Sequence, residues 1–167
     1  MTPSPPRPLD STDDTAAFDC GNEQLNSWLA RRAWANERHG DSRTYVSIDP
    51  TNSRIAGFYA LASRSIARGQ ASGQLARNAP GPIPTILLGQ LATSIESRGL
   101  GLGRSLFIDA VRKTQAAARL IGARALITEA IDDQAAAFYR HLGMKPLNAA
   151  PHLLYLPLRV QSQPPKS

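Results

Sequence analysis

TILLGQLATSIESRGLGLGRSLFIDAVRKTQAAA, residues Thr85 to Ala118, is the stretch from which the rest of the chain is placed. Its apolar, β-favouring run from Ile86 to Ile95 predicts a strand, and Glu96 and Ser97 break it. Arg98-Gly99-Leu100-Gly101-Leu102-Gly103-Arg104 then opens a segment of helical periodicity. Glycines let the backbone take positive φ and come close to a ligand, while the first amides of a helix lack intrahelical acceptors at the positive end of its dipole. Such a loop suits a phosphate. A nucleotide P-loop needs G-x-x-x-x-G-K-[ST], but Arg104 follows Gly103 and no glycine stands five residues before it. A dinucleotide fingerprint needs G-x-G-x-x-G, whereas these glycines are spaced G-x-G-x-G, and no βαβ repeat with a ribose-binding acid follows. What remains is a loop for another phosphate ligand or a glycine turn that merely joins strand to helix.

At 167 residues, 42% of them hydrophobic, the chain is sized for one domain with a real core. Lysine plus arginine total 19 against 13 acids, a net charge of +6, and only Lys113, Lys145 and Lys166 are lysines. The excess points to an anionic partner, nucleic acid first, with a scattered solvated surface as the bland alternative. Arginine binds phosphate bidentately and stacks on bases, which favours RNA, although a GC-rich genome gives the same bias. The single Cys20 excludes an internal disulfide, and His39, His141 and His152 lack metal-motif spacing, so no bound metal is expected. No long apolar run or signal-peptide pattern occurs, which predicts a cytoplasmic protein without membrane association.

Residues 1–17 are rich in proline and acids and read as an extended lead-in, with an edge strand near Leu9. Leu25, Trp28, Leu29 and Ala33 predict an amphipathic helix from about Asn22 to Arg38, whose other face carries Arg31, Arg32 and Arg38. Thr44–Ile48 and Arg54–Ala62, joined through Asp49-Pro50-Thr51-Asn52-Ser53, predict a hairpin. Ser63 to Pro84 reads as mainly irregular, a substrate loop or a linker. Leu102, Leu106, Ala110, Val111, Thr114 and Ala118 mark the buried face of a helix from Gly103 to Leu120. A strand over Ala123–Ala130, a helix over Ala135–Leu142 and a last strand over His152–Leu158 follow, and the tail from Gln161 reads as disordered.

The R-G-x-G-x-G loop between strand and helix resembles the coenzyme A pyrophosphate loop of GNAT-family N-acetyltransferases. Ala135, Phe138, Tyr139, Gly143 and Met144 match that family's A-x-x-F-Y-x-x-x-G-[FM] signature. Within the family the chain looks most like the GNAT toxins of bacterial toxin–antitoxin pairs. The matching features are F-D-C-G-N at 18–22 with its L-x-x-W-L helix, S-R-T-Y-V at 42–46, G-F-Y-A-L-A at 57–62 and L-L-G-Q-L-A at 87–92. Gln90 departs from the arginine many relatives carry, and Asp132 and Asp133 replace an asparagine common in GNAT enzymes.

The resemblance implies an α/β (α+β) GNAT acyl-CoA N-acyltransferase fold, a mixed and mostly antiparallel sheet flanked by helices, over residues 18–160, with a disordered tail at 161–167. It implies an acetyl-CoA-dependent enzyme that acetylates the α-amino group of aminoacyl-tRNA and blocks translation, paired with a ribbon-helix-helix antitoxin and acting as a homodimer. Coenzyme contacts fall to Leu91, Ala92, Thr93, Arg98, Gly99, Leu100, Gly101, Leu102, Gly103 and Arg104. Tyr139 takes the role of general acid: a phenol of ordinary pKa near 10 stays protonated at neutral pH. No base is compelling, but an α-amine with a pKa of about 7.7 to 8.0 supplies its own neutral fraction. Arg31, Arg32, Arg38, Arg43, Arg64, Arg68 and Arg77 become candidates for tRNA phosphates. The alternatives are the same fold acting on a small amine or a protein N-terminus, and a non-catalytic basic module that binds RNA or a partner.

Overall fold

The computed structural model describes residues 2–71, 73–79, 81–148 and 150–158. The elements are β1 (Arg7–Pro8), α1 (Glu23–Arg31), α2 (Ala33–His39), β2 (Arg43–Ile48), β3 (Ile55–Ile66), α3 (Gly73–Ala76) and β4 (Ile83–Thr93). There follow α4 (Leu102–Ile121), β5 (Ala125–Glu129), α5 (Asp133–His141), β6 (Lys145–Leu147) and β7 (Ala150–Pro157). The hydrogen-bonded strand order is β1-β2-β3-β4-β5-β7-β6. β4 pairs parallel with β5 through Thr85↔Ala125, Ile86↔Leu126 and Leu87↔Ile127, while β1 with β2, β2 with β3, β5 with β7 and β6 with β7 pair antiparallel. This is the mixed, mostly antiparallel sheet that the resemblance implies.

Contacts cluster in two units, one of residues up to Ser63 with Leu88–Ala110, the other of Arg64–Leu87 with the chain from Val111 onward. In the first, Phe18 meets Phe58 edge-on with ring centres 5.3 Å apart, and Trp28 stacks on the same ring at 6.0 Å. Leu25, Leu29, Ala33, Val46, Ile55 and Ala92 complete this core. The predicted single helix is two: Arg32, at φ −113°, interrupts it, and Gly40 in the left-handed region closes α2. The lead-in is drawn onto the hairpin, where Leu9 N–H donates to Thr44 O at 2.9 Å.

In the second unit the core is Ile66, Leu75, Ala79, Ile83, Ala125, Ile127, Leu147 and Tyr155. Residues 63–84, expected to be mainly irregular, instead extend β3 to Ile66, form a 3₁₀ turn at Arg68–Gln70 and the one-turn α3, and start β4 at Ile83. Ile66, Leu75 and Ala79 bury their side chains, which gives these short pieces the apolar anchorage that their serines, glycines and arginines conceal. Arg124 adds a clamp by donating to the Arg77 carbonyl at 2.8 Å. β6 has no counterpart in the sequence reading, because Pro146 lacks an N–H and is tolerated in a strand only at an edge such as this one. The tail at 161–167 lies outside the described residues.

Gly57 on β3 is the tightest point of the first unit. A methyl there would meet Leu106 Cδ1 at 2.9 Å, the Ala92 carbonyl oxygen at 3.1 Å and Leu102 Cδ2 at 3.1 Å. Neither the backbone carbonyl nor the fully buried Leu106 has room to retreat. Gly57→Ala should therefore cost about 1–3 kcal/mol, read in urea unfolding as a lower midpoint at unchanged slope.

Candidate active site

The coenzyme candidates cluster in the first unit. Leu91, Ala92 and Thr93 end β4, beyond its three pairs with β5, and a 3₁₀ turn at Ile95–Ser97 leads into the loop. Gly99 and Gly101 take φ of +80° and +73°, which strains any residue with a Cβ, and a Cβ at either would meet nothing within 4 Å. The glycines are thus required by backbone conformation, and the space over them is open. Ser105 N–H donates to Gly101 O at 3.1 Å, so the amides of Leu102, Gly103 and Arg104, which precede it in the first turn of α4, have no intrahelical acceptor. Arg104 and Leu100 are exposed, while Leu102 turns into the core. Open space, unspent amides and a neighbouring cation fit a diphosphate.

The loop is braced from the amino-terminal motif. Ile95 N–H donates to Asp19 O at 3.0 Å, Ser94 N–H to Ala56 O at 2.7 Å, and Arg98 Nη2 to Cys20 O at 2.8 Å. Gly21, at φ +83°, leaves the room that the guanidinium occupies, since a Cβ there would lie 2.9 Å from Arg98 Nη2. Asp19 accepts from Gly21 N–H and Asn26 Nδ2, which hold its carboxyl below the usual range, and Asn22 caps α1 through Leu25 N–H. Phe18-Asp19-Cys20-Gly21-Asn22 is therefore a support for the glycine loop. Its spacing carried no such signal, because the acceptors are main-chain carbonyls.

Tyr139 belongs to the second unit, on α5, which Asp132 caps by accepting from Ala135 N–H at 2.8 Å. The ring is 6% exposed, stands edge-on to Phe138, and its phenol hydrogen-bonds with the side chain of Thr128 on β5. Burial pushes its pKa up to about 12, and the Thr128 bond opposes that rise. Thr128 had no sequence signal. In the first unit a second phenol, Tyr59, is fully buried and donates to Asp109 on α4; burial first, and the Asp109 bond second, raise its pKa strongly.

The seven arginine candidates divide. Arg31, Arg32, Arg38 and Arg43 lie in the first unit and Arg64, Arg68 and Arg77 in the second, all exposed. Arg43 is partly committed, donating to Glu37 O at 2.9 Å at the end of α2, and Arg64 is paired with Glu129 at 2.8 Å. A cavity of about 220 Å³ in the first unit is lined by Asp14, Asp19, Asp49 and Glu96 against the lone cation Arg54, the wrong sign for phosphate. Among the described residues no three His, Cys, Asp or Glu side chains gather as metal ligands, and no helix is long and apolar enough to cross a membrane.

No family model matches the chain. It is 41% identical over 154 residues, 92% of both chains, to the tRNA-acetylating toxin of Mycobacterium tuberculosis. Among solved structures it is similar to AtaT complexed with acetyl-methionyl-tRNAfMet, at a TM-score of 0.83 and 28% identity over 91% of this chain and 93% of that one. It is also similar to a tyrosine-to-phenylalanine mutant of AtaT bound to the C-terminus of the antitoxin AtaR and acetyl-CoA, at 0.76 and 27% identity over 91% of each chain.

The burial of Tyr139 is open to direct measurement. In an alkaline absorbance titration at the tyrosinate band, Tyr139→Phe should leave the signal gained below pH 10 unchanged, because the wild-type phenol ionises only near 12. Loss of a step below pH 10 would contradict the buried placement.

Proposed function

This chain belongs to the tRNA-acetylating toxins of the GNAT fold, and from that premise we propose that it transfers acetyl from acetyl-CoA to the α-amino group of aminoacyl-tRNA, thereby blocking translation. The observation that carries this reading is the open, doubly glycine-turned loop at the start of α4, braced by the amino-terminal motif.

When bound, acetyl-CoA supplies an acetyl group activated as a thioester. The amides from Gly99 to Arg104 hold its diphosphate, with Arg98, whose own amide donates to Ile95 O, acting through its side-chain tie to Cys20 O, and the backbone of Leu91, Ala92 and Thr93 pairs with its pantetheine arm. The amine forms the new C–N bond as the C–S bond breaks, and the proton lost by nitrogen passes to solvent. Tyr139 donates a hydrogen bond to the departing sulfur. Its phenol, near 12, is a weaker acid than an ordinary thiol near 8.5, so full transfer would run uphill by about 5 kcal/mol. Tyr139 therefore stabilises the thiolate while keeping its own proton. No base is required, because the α-amine is partly neutral at physiological pH.

Arg31, Arg32, Arg38, Arg68 and Arg77 contact tRNA phosphates, while Arg43 and Arg64 contribute less because each already serves a protein acceptor. The toxin works in the cytoplasm as a homodimer and is neutralised by a ribbon-helix-helix antitoxin; the AtaT–AtaR complex supports the pairing. No metal enters the reaction.

Incubation with acetyl-CoA and charged tRNA, free polyamines or a peptide should acetylate only the charged tRNA; acetylation of the small amine alone sinks the reading. Tyr139→Phe should lower kcat by about 100-fold or more with the KM for acetyl-CoA little changed, since one donor to developing charge is lost. The rate should rise with pH through about 8 as the amine deprotonates and show no fall before 10, because Tyr139 stays protonated.

A further inference from the structure

The two tryptophans of the chain have opposite surroundings. Trp28 lies flat on Phe58 and packs on the core, whereas Trp34, near the start of α2, is 40% exposed. Its neighbour Ala33 is fully buried and fixes which side of α2 faces inward, so the indole is held out from the core. Arg38 stands four residues after Trp34 on the same face of α2, and Arg31 is near it in the chain at the end of α1, before the break at Arg32; both are exposed.

A part-exposed indole with exposed arginines close by in the chain selects a partner on two counts. The cations favour a polyanion, and the ring favours a flat π-system that can be desolvated against it. A protein partner's carboxylates meet only the first demand, and it needs a separately placed aromatic side chain for the second. An unpaired nucleotide meets both, since each base carries a phosphate beside it. We propose that Trp34, one turn before Arg38 on α2, is a stacking platform for an unpaired base of the tRNA substrate. The inference rests on the tRNA reading above and specifies where a single-stranded part of that RNA sits.

Steady-state acetylation of charged tRNA by Trp34→Ala and Trp34→Phe tests it. Loss of stacking should raise the KM for charged tRNA about 5- to 100-fold in Trp34→Ala. Trp34→Phe should recover most of the loss, and the KM for acetyl-CoA and the melting temperature should not move. In Trp28→Phe, Trp34 is the sole tryptophan, and its selectively excited emission should be quenched by an acceptor-stem minihelix with an unpaired 3′ end but not by a blunt duplex of the same length. An unchanged KM in Trp34→Ala, or equal quenching by both RNAs, overturns the platform. So does a KM loss that follows only from an altered sedimentation coefficient, which would make the face a contact between copies of this chain. If wild-type protein leaves charged tRNA unacetylated, the parent reading fails, and the fluorescence titration still decides the platform.

Discussion

The missing side chain at position 57 fixes how closely α4 approaches the sheet. With no Cβ on Gly57, Leu102 and Leu106 press onto β3 beside the Ala92 carbonyl. Two residues further along the same face of β3, Tyr59 reaches Asp109, one turn beyond Leu106. A close contact and a buried hydrogen bond thus locate the first two turns of α4 independently. Because the glycine loop is the lead into that helix, its amides inherit the same placement. The G-F-Y-A-L-A motif has a packing explanation at each of its first four residues: Gly57 admits the helix, Phe58 receives two aromatic rings, Tyr59 bonds Asp109, and Ala60 is buried on the strand.

A loop with two residues in the left-handed region must be held from outside, because such turns have few internal bonds. The first unit does so with main-chain carbonyls of Asp19 and Cys20, and with a guanidinium that needs Gly21 to be side-chain free. This couples residues 78 positions apart in the chain, Cys20 and Arg98, without a pair of complementary charges. It also gives the amino-terminal motif an assignment. The sequence reading used that motif only as a mark of resemblance; in the structure its main chain holds the glycine loop.

What the sequence disclosed follows from range. The β4–loop–α4 unit was legible because apolar alternation, glycine spacing and a four-residue apolar ladder are all local, and α4 runs from Leu102 to Ile121, within two residues of its expected ends. The helix that carries Tyr139 was legible because a helix start and a glycine stop frame it. The break at Arg32 was hidden, since Ala33 continues the apolar period straight across it. Thr128, the Arg64–Glu129 pair and the Arg43–Glu37 bond join different elements, and no spacing announces them. The arginines show the cost of reading charge from composition: the same residue type serves as a loop brace at 98, a clamp at 124 and a helix-end donor at 43.

Burial of Tyr139 sets what kind of acid it can be. Removing the phenol from water penalises tyrosinate, and the Thr128 hydroxyl recovers only part of that penalty, so the group remains neutral across the physiological range. The same burial makes it a poor proton donor toward a thiolate, which is the weaker base of the two. Complete proton transfer and stable protonation are therefore alternatives for this phenol, and burial selects the second. That choice suits a reaction whose leaving group needs little help once its charge is met by a fixed dipole, and whose nucleophile is an α-amine already partly neutral at pH 7. A lysine acceptor, with a pKa near 10.4, would shift the burden to a base. On the proposed reading, the chemistry asked of this chain is thus positioning and one hydrogen bond.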